Sequence, residues 1–304
     1  MTPSFTTSLR DVSLVARFEL LRAIRTWQGL AVIILYVIAS IGSTYLFVQI
    51  LGALERELAF TLQVPPTDTP GAMLDSLVNS KNFRDMVAFF VGDERLVDAT
   101  LFWSPVATFH LWMNLLLMPF LATFVSADAI SVDLRSRALR FELLRTGRLE
   151  LVSGRFLAQA ILCGIAGLAA AGASWTVALL TMVGNDAFWL GVGLLWAGWR
   201  SWVFGLAFVG LGVGVSQLTA SPAWARILGL VGTALTWGLF GLLAWATTQV
   251  PAWIIAPLQL TLPQTWIRLL WEGGTLSLAA AVFLVALGLT WMTAGYVVTA
   301  RRDA

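Results

Sequence analysis

The sequence predicts an all-α, polytopic membrane protein with six transmembrane helices, an N-terminal amphipathic interfacial helix and a small external loop domain. Three observations predict it. Hydrophobic residues make up 58% of the 304 residues and charged residues only 12%, against roughly 25% charged in a soluble globular chain. Mean hydropathy is +0.81. Six apolar runs each supply the about 20 residues that a membrane helix needs. The same composition excludes disorder, a basic nucleic-acid-binding domain and a disulfide-stapled scaffold. The single cysteine, Cys163, cannot form an internal disulfide, and the single histidine, His110, excludes any site that needs two.

The apolar runs cover 30–52, 105–126, 156–183, a stretch within 188–216, 226–249 and 275–299. The whole chain, 1–304, reads as a single transmembrane domain. The third and fourth runs exceed what a bilayer needs, so they tilt or extend beyond it. Glycines recur in the last four, as in GLGVGVS, and small residues let membrane helices approach closely. The short dyad alternation of transmembrane strands is absent. The first run begins near Leu30, is too long for a signal-peptide core and has no small-residue cleavage site after it.

Orientation follows from the basic residues. The N-terminal segment, the 127–155 loop, the 217–226 loop and the C-terminus carry thirteen of the nineteen Lys and Arg residues. The opposite side carries Arg56, Lys81, Arg84, Arg95 and Arg268, and Arg200 falls inside a span. Both termini are therefore expected in the cytoplasm, with the chain crossing the cytoplasmic (inner) membrane.

Four elements lie outside the spans. In 9–27, Leu9, Val12, Ala16, Leu20, Ala23 and Trp27 recur at helical spacing, with Arg10, Arg17, Arg22 and Arg25 off that stripe. This reads as an amphipathic helix in the inner interface, or as the charged flank that orients the first span. Residues 53–104 hold eight acidic against four basic residues, a net charge of −4. Pro65, Pro66 and Pro70 break this segment, with helices expected around 54–63 and 71–91. It reads as an acidic external cap, or as a contact surface for a partner. In 127–155, Ala129, Val132, Leu139 and Leu143 can share one helical face while six arginines occupy the rest. The apolar stretch 250–274 is broken by Pro251, Pro257 and Pro263. Short helices dipping into the outer leaflet are expected there, with Trp253, Trp266 and Trp271 suited to an interface.

Self-sufficient chemistry is missing from the motifs. There is no G-x-x-x-x-G-K-[ST] phosphate loop, and the only lysine is Lys81. There is no H-E-x-x-H, no C-x-x-C and no histidine pair. His110 reads as a packed side chain rather than a proton relay. Arg200 is the one clear intramembrane charge, and such residues default to functional candidates. Trp196 or Trp199 could hold it by a cation–π contact. Alternatively 184–199 is an outer interfacial segment and Arg200 snorkels to head groups. The chain lacks an energy source of its own.

The loop SVDLRSRALRFELLRTGRLELVSGRFLAQ resembles the first cytoplasmic loop of type-2 ATP-binding-cassette (ABC) permeases, the exporter type. Asp133, Arg135, Leu139, Leu143, Leu144, Arg148, Gly154 and Arg155 match that pattern in order. Phe208, Leu211, Gly212 and Ser216 resemble the family's fourth span, and LTLPQTWIRL its proline-containing outer segment. Four positions depart from the pattern. Asp133 stands for Glu, Arg137-Ala138 occupies the Gly-Thr step, Gly147 replaces a Pro, and Arg155 replaces Lys.

The resemblance implies a transmembrane permease subunit of an ATP-driven exporter-type complex. It pairs with a second copy or a sister permease and with separate ATPase subunits, which bind the ATP and Mg²⁺; no cofactor is expected in this chain and no nucleic-acid partner. A rigid helix over 128–148 is the first coupling element, with Asp133, Arg135, Arg137, Arg140, Arg145 and Arg148 facing the ATPase. Gln217 and Ser221 mark a second coupling turn within 217–225. The pathway lies at the dimer interface along the second and fifth spans. Two other readings stay open. One is a non-transporting subunit that passes ATPase-driven motion to an external partner through 53–104. The other is a membrane-embedded enzyme or carrier, which the absence of paired catalytic groups weakens.

Overall fold

The computed structural model describes residues 5–25, 27–65, 69–184, 186–272 and 274–302, and these are predominantly helical with no strand among them. In chain order the helices are α1 (Phe5–Arg25), α2 (Trp27–Thr61), α3 (Leu74–Asn79), α4 (Lys81–Val91), α5 (Val97–Leu101), α6 (Pro105–Ser126), α7 (Ser131–Ser136), α8 (Leu139–Glu142), α9 (Arg148–Thr181), α10 (Ala187–Ser216), α11 (Pro222–Ala246), α12 (Ala252–Leu260), α13 (Ile267–Glu272) and α14 (Gly274–Arg302). Six of them, α2, α6, α9, α10, α11 and α14, are long and apolar enough to cross a membrane. The expected all-α polytopic class is therefore observed. Pro66 and Asp68 of the acidic segment lie outside the described residues.

Local chemistry sets the span ends. Pro105 and Pro222 open α6 and α11 at positions where a missing N–H costs nothing. Asp186 caps α10 by accepting from the Phe188 and Trp189 amides at 2.9 and 3.3 Å. Ser80 separates α3 from α4 and caps the latter through the Phe83 amide.

α10 is the hub. Its apolar window is 72% buried, against 17% for α11 and 22% for α14, and it packs on α6, α9 and α14. Glycine makes the α10–α14 crossing possible. A Cβ on Gly210 would lie 2.0 Å from the Gly288 carbonyl oxygen, and one on Gly295 would lie 2.3 Å from that of Gly214. The two backbones touch there, the use expected of GLGVGVS.

Three expectations are corrected. The residues 54–63 are no separate helix: α2 runs unbroken to Thr61, because no breaker precedes Pro65. Residues 128–148 do not form one rigid helix. α7 ends at Arg137, which takes a left-handed conformation with φ 60°, α8 follows, and α9 has already begun at Arg148. At the N-terminus, α1 ends at Arg25, and Trp27 opens α2 with 80% of its surface exposed.

The α1 stripe also has a different partner from the one expected. Ala16 is buried and Val12, Leu20 and Ala23 are half-buried, with α1 lying along α9. Val15 sits so close that a Cβ on Gly154 would come within 2.6 Å of it. A second apolar face, Leu14, Phe18, Leu21 and Ile24, stays exposed. The helix is thus apolar on two sides, one for protein and one left open.

At the end away from the termini, α3, α4 and α5 form a cap over the tail of α2. The Glu55 carboxylate accepts from the Gly71 amide at 2.8 Å. Val183, just past α9, donates to the Pro70 carbonyl at 3.0 Å. Gly71 has φ 97°, and a Cβ there would lie 2.3 Å from the Val183 oxygen, so only glycine fits. The stretch before the last span forms the short helices expected of it, α12 and α13, with a 3-10 turn over 263–266 between them.

Candidate functional site

The densest set of charged contacts gathers at the end of the bundle that carries both termini. Arg155 on α9 is its centre, with a side chain only 2% exposed. One arm donates to the Ala129 carbonyl. The other reaches Asp133 on α7 and Glu142 on α8, each at 2.6 Å. Asp133 also accepts from Arg22 on α1 at 3.3 Å, and Arg22 lies 3.6 Å from Glu19. Glu150 accepts from Ser8 at 3.1 Å, a second tie between α1 and α9. A forked guanidinium can hold a carbonyl and two carboxylates at once, which a lysine ammonium does only as a point charge. Arg155 in place of the family's Lys therefore fastens three pieces of one loop.

Burial shapes these charges. It pushes the Glu19 carboxyl above its usual range, although Arg155 and Arg22 pull it back. For Arg22, burial acts downward, but Glu19 and Asp133 outweigh it and the net shift is upward.

The candidate coupling residues divide into two groups. Asp133 is 5% exposed and turned inward to Arg155, so it positions the loop rather than presenting a surface. Arg135, Arg137, Arg140, Arg145 and Arg148 are exposed. Between them stand Phe141 at 73% and Leu144 at 82% exposure. Leu139 and Leu143 point the other way, into a crevice shared with Ile130, Val152 and Tyr296. The exposed side of this loop thus carries arginines together with two apolar side chains, and Arg148 also borders the crevice. Sequence reasoning missed Phe141, Glu142 and Arg22. Glu142 could have been found as the lone acid among the arginines of 134–149, and Phe141 from its place opposite the Leu139–Leu143 face.

Gln217 is likewise inward. It is 4% exposed, donates to the Val213 and Met292 carbonyls at 3.3 and 3.1 Å, and accepts from Thr299 at 3.0 Å. It locks α10 to α14. Ser221 is half-buried before α11, and its amide donates to Thr219 Oγ1 at 3.1 Å. Leu218 and Trp224 supply the exposed surface of this turn, Trp224 at 61%. Nearby, Arg226 on α11 is ion-paired to Asp128 and lies 4.9 Å from the Phe124 ring centre.

Arg200 lies far from this cluster. It is 6% exposed in the continuous helix α10, which rules out a break at 199. Its guanidinium sits 4.9 Å from the Trp196 ring centre, and no carboxylate pairs with it among the described residues. Thr100, Trp103, Thr108, Leu111 and Trp271 surround it. It faces the protein, beside the first two turns of α6 and under the cap. Trp199 is half-exposed and packs against Trp202 instead, the two rings tilted by 48°. His110 is buried in a polar cluster that joins three spans, 3.1 Å from Ser174, which also bonds Ser40 and Thr44 at 2.9 Å.

Six membrane-length helices, a helix packed along their base and a charged loop clamped at one end define a polytopic membrane protein. Comparison with known families gives the particular one: the description "ABC-2 family transporter protein" matches residues 14–303. The chain belongs to that family, and it is a membrane permease component of an ABC transporter. Membership implies association with ABC ATPase subunits, the family's membrane subunit not being the ATP-binding one. No curated protein matches the chain.

Proposed function

We propose that this chain is the transmembrane half of an exporter-type complex, with both termini in the cytoplasm of a cell whose inner membrane it spans. Separate ATPase subunits bind ATP and Mg²⁺ and drive it. The observation that carries this reading is the exposed surface of 135–148, where arginines accompany the exposed Phe141 and Leu144. An apolar anchor accompanied by charge suits a groove on a soluble partner. Because Arg155 clamps the same loop to α9 and Asp133 ties it to α1, a push on that face reaches the spans as a rigid-body motion. The turn with Leu218 and Trp224 is the second contact. A second copy or a sister permease completes the pathway along α6 and α11.

A second reading has its own support. Phe89 and Phe102 are 82% and 75% exposed on the cap, which favours an external partner moved by the ATPase without transport.

Two measurements test the proposal. Purified complex in liposomes is assayed for ATPase stimulation by candidate substrates: stimulation with transport supports a permease, and ATPase activity that responds only to an external protein supports the second reading. Cysteines at exposed Ser76 and Ser136 are labelled with an impermeant thiol reagent in intact cells, against the buried native Cys163. Labelling of the first alone is expected; the reverse inverts the topology.

A further inference from the structure

Beside the ion cluster, a cavity of about 530 Å³ opens between α1, α2, α6, α9 and α11, within the size range of ligand pockets, about 300–1,000 Å³. Its polar lining is Glu19, Arg22, Asp128, Gln159 and Arg226. Two carboxylates face two guanidiniums, so the lining carries no net charge. Val32, Val125 and Leu162 form an apolar wall.

Gln159 points to a ligand. It is 5% exposed, it lines the cavity, and its Oε1 is buried with no hydrogen-bond partner. Arg226, paired with Asp128 through Nη2, leaves its Nε in the same condition. Buried polar atoms of this kind are normally satisfied. The depth is informative too. Gly29 lies in the first turn of α2, Arg226 near the start of α11, and Phe124 and Asp128 at the end of α6. The polar lining therefore sits where the spans end, with the apolar wall beside it.

We propose that this cavity binds the head group of a zwitterionic phospholipid bearing a primary ammonium, of the phosphoethanolamine type. Guanidinium forks match phosphate oxygens. The carboxylates suit the ammonium, and the Gln159 acceptor requires a hydrogen-bond donor, which a primary ammonium supplies and a quaternary ammonium lacks. The apolar wall takes the start of the acyl chains. The inference rests on membrane placement of the chain and not on its cargo or direction of transport.

The test is native mass spectrometry of the delipidated full chain titrated with phosphatidylethanolamine, phosphatidylcholine and phosphatidylglycerol of identical acyl chains, and with free O-phosphoethanolamine. Phosphatidylethanolamine should bind about tenfold tighter than phosphatidylcholine, the scale of one hydrogen bond to a charged group. Gln159→Leu should abolish that preference. Equal retention of the three lipids, or an undiminished preference in Gln159→Leu, overturns the proposal. Displacement by free O-phosphoethanolamine at equal concentration overturns the lipid as its source. A wild-type cross-link supplies a measurement independent of the variant's folding: a lipid with a photoreactive group next to its head should label α1 or α9, and labelling confined to the cap overturns the site. ATPase co-purification, scored on the same samples, reports separately on the proposed function.

Discussion

Asp133 and Arg155 meet at 2.6 Å inside the protein, and each also holds a second helix: Asp133 reaches α1 through Arg22, and Arg155 reaches α8 through Glu142. One ion pair thus joins the N-terminal helix, the loop and the third span. Breaking a buried pair by removing one partner costs about 3–5 kcal/mol, because the other charge is left uncompensated. Arg155→Met and Asp133→Leu should each lower thermal stability by that order. The double variant should lose clearly less than the sum, since the contact shared by the pair is counted in both singles. Additive losses in a thermal-unfolding cycle would mean the two side chains act independently.

Arg137 holds φ 60° at the end of α7, where side chains with a Cβ are strained by about 1–3 kcal/mol. Arg137→Gly should raise the melting temperature by a few degrees, at about 2–4 °C per kcal/mol for a chain of this size. The same variant removes one of five arginines from the exposed face, so ATPase co-purification should fall slightly or not at all. A lower melting temperature would show that the Arg137 side chain contributes more than its backbone costs.

The α10–α14 crossing gives a paired test. Gly210→Ala would set a methyl 2.0 Å from the Gly288 oxygen, whereas Gly238 on α11 has nothing within 4 Å of its added Cβ. Overpacking costs about 1–3 kcal/mol. Gly210→Ala should therefore unfold at lower temperature than Gly238→Ala in the same detergent. Matching melting curves would contradict the close approach.

Glu19 makes stability depend on pH. Its folded pKa is raised above the ordinary value of 4.5, chiefly by burial. The stability gained by keeping the carboxyl protonated is fully present below that ordinary value and is lost as pH rises through the raised folded value. Glu19→Gln should be more stable than wild type at neutral pH, with the advantage shrinking on acidification. Thermal scans between about pH 4 and 8 would contradict this if the difference grew toward acid.

The fold was legible in the sequence because membrane spans announce themselves by length and hydropathy. The run 105–126 coincides with α6 to the residue, whereas the fourth span, expected only as a stretch within 188–216, fills that whole window as α10. Spans that continue past the bilayer were less legible: α2 to Thr61 and α9 from Arg148 carry polar ends that mark no stop. The loop's arginines were visible, but their roles were not. Arg155 and Arg135 look alike in a charge count, and only packing shows that one is buried and the other exposed. The break at Arg137 was hidden because arginine is no turn residue. Its signal was the Gly-Thr step that the family resemblance places there.

The central claim is that the exposed face of 135–148 receives the ATPase. The variant Arg135→Glu, Arg140→Glu and Arg145→Glu changes that face without touching Asp133, Glu142 or Arg155. Co-purification of the tagged chain with its ATPase, alongside a check of membrane insertion, measures the claim most directly. The account predicts normal insertion with loss of the ATPase from the complex. Full co-purification with unchanged coupled ATPase activity would contradict it.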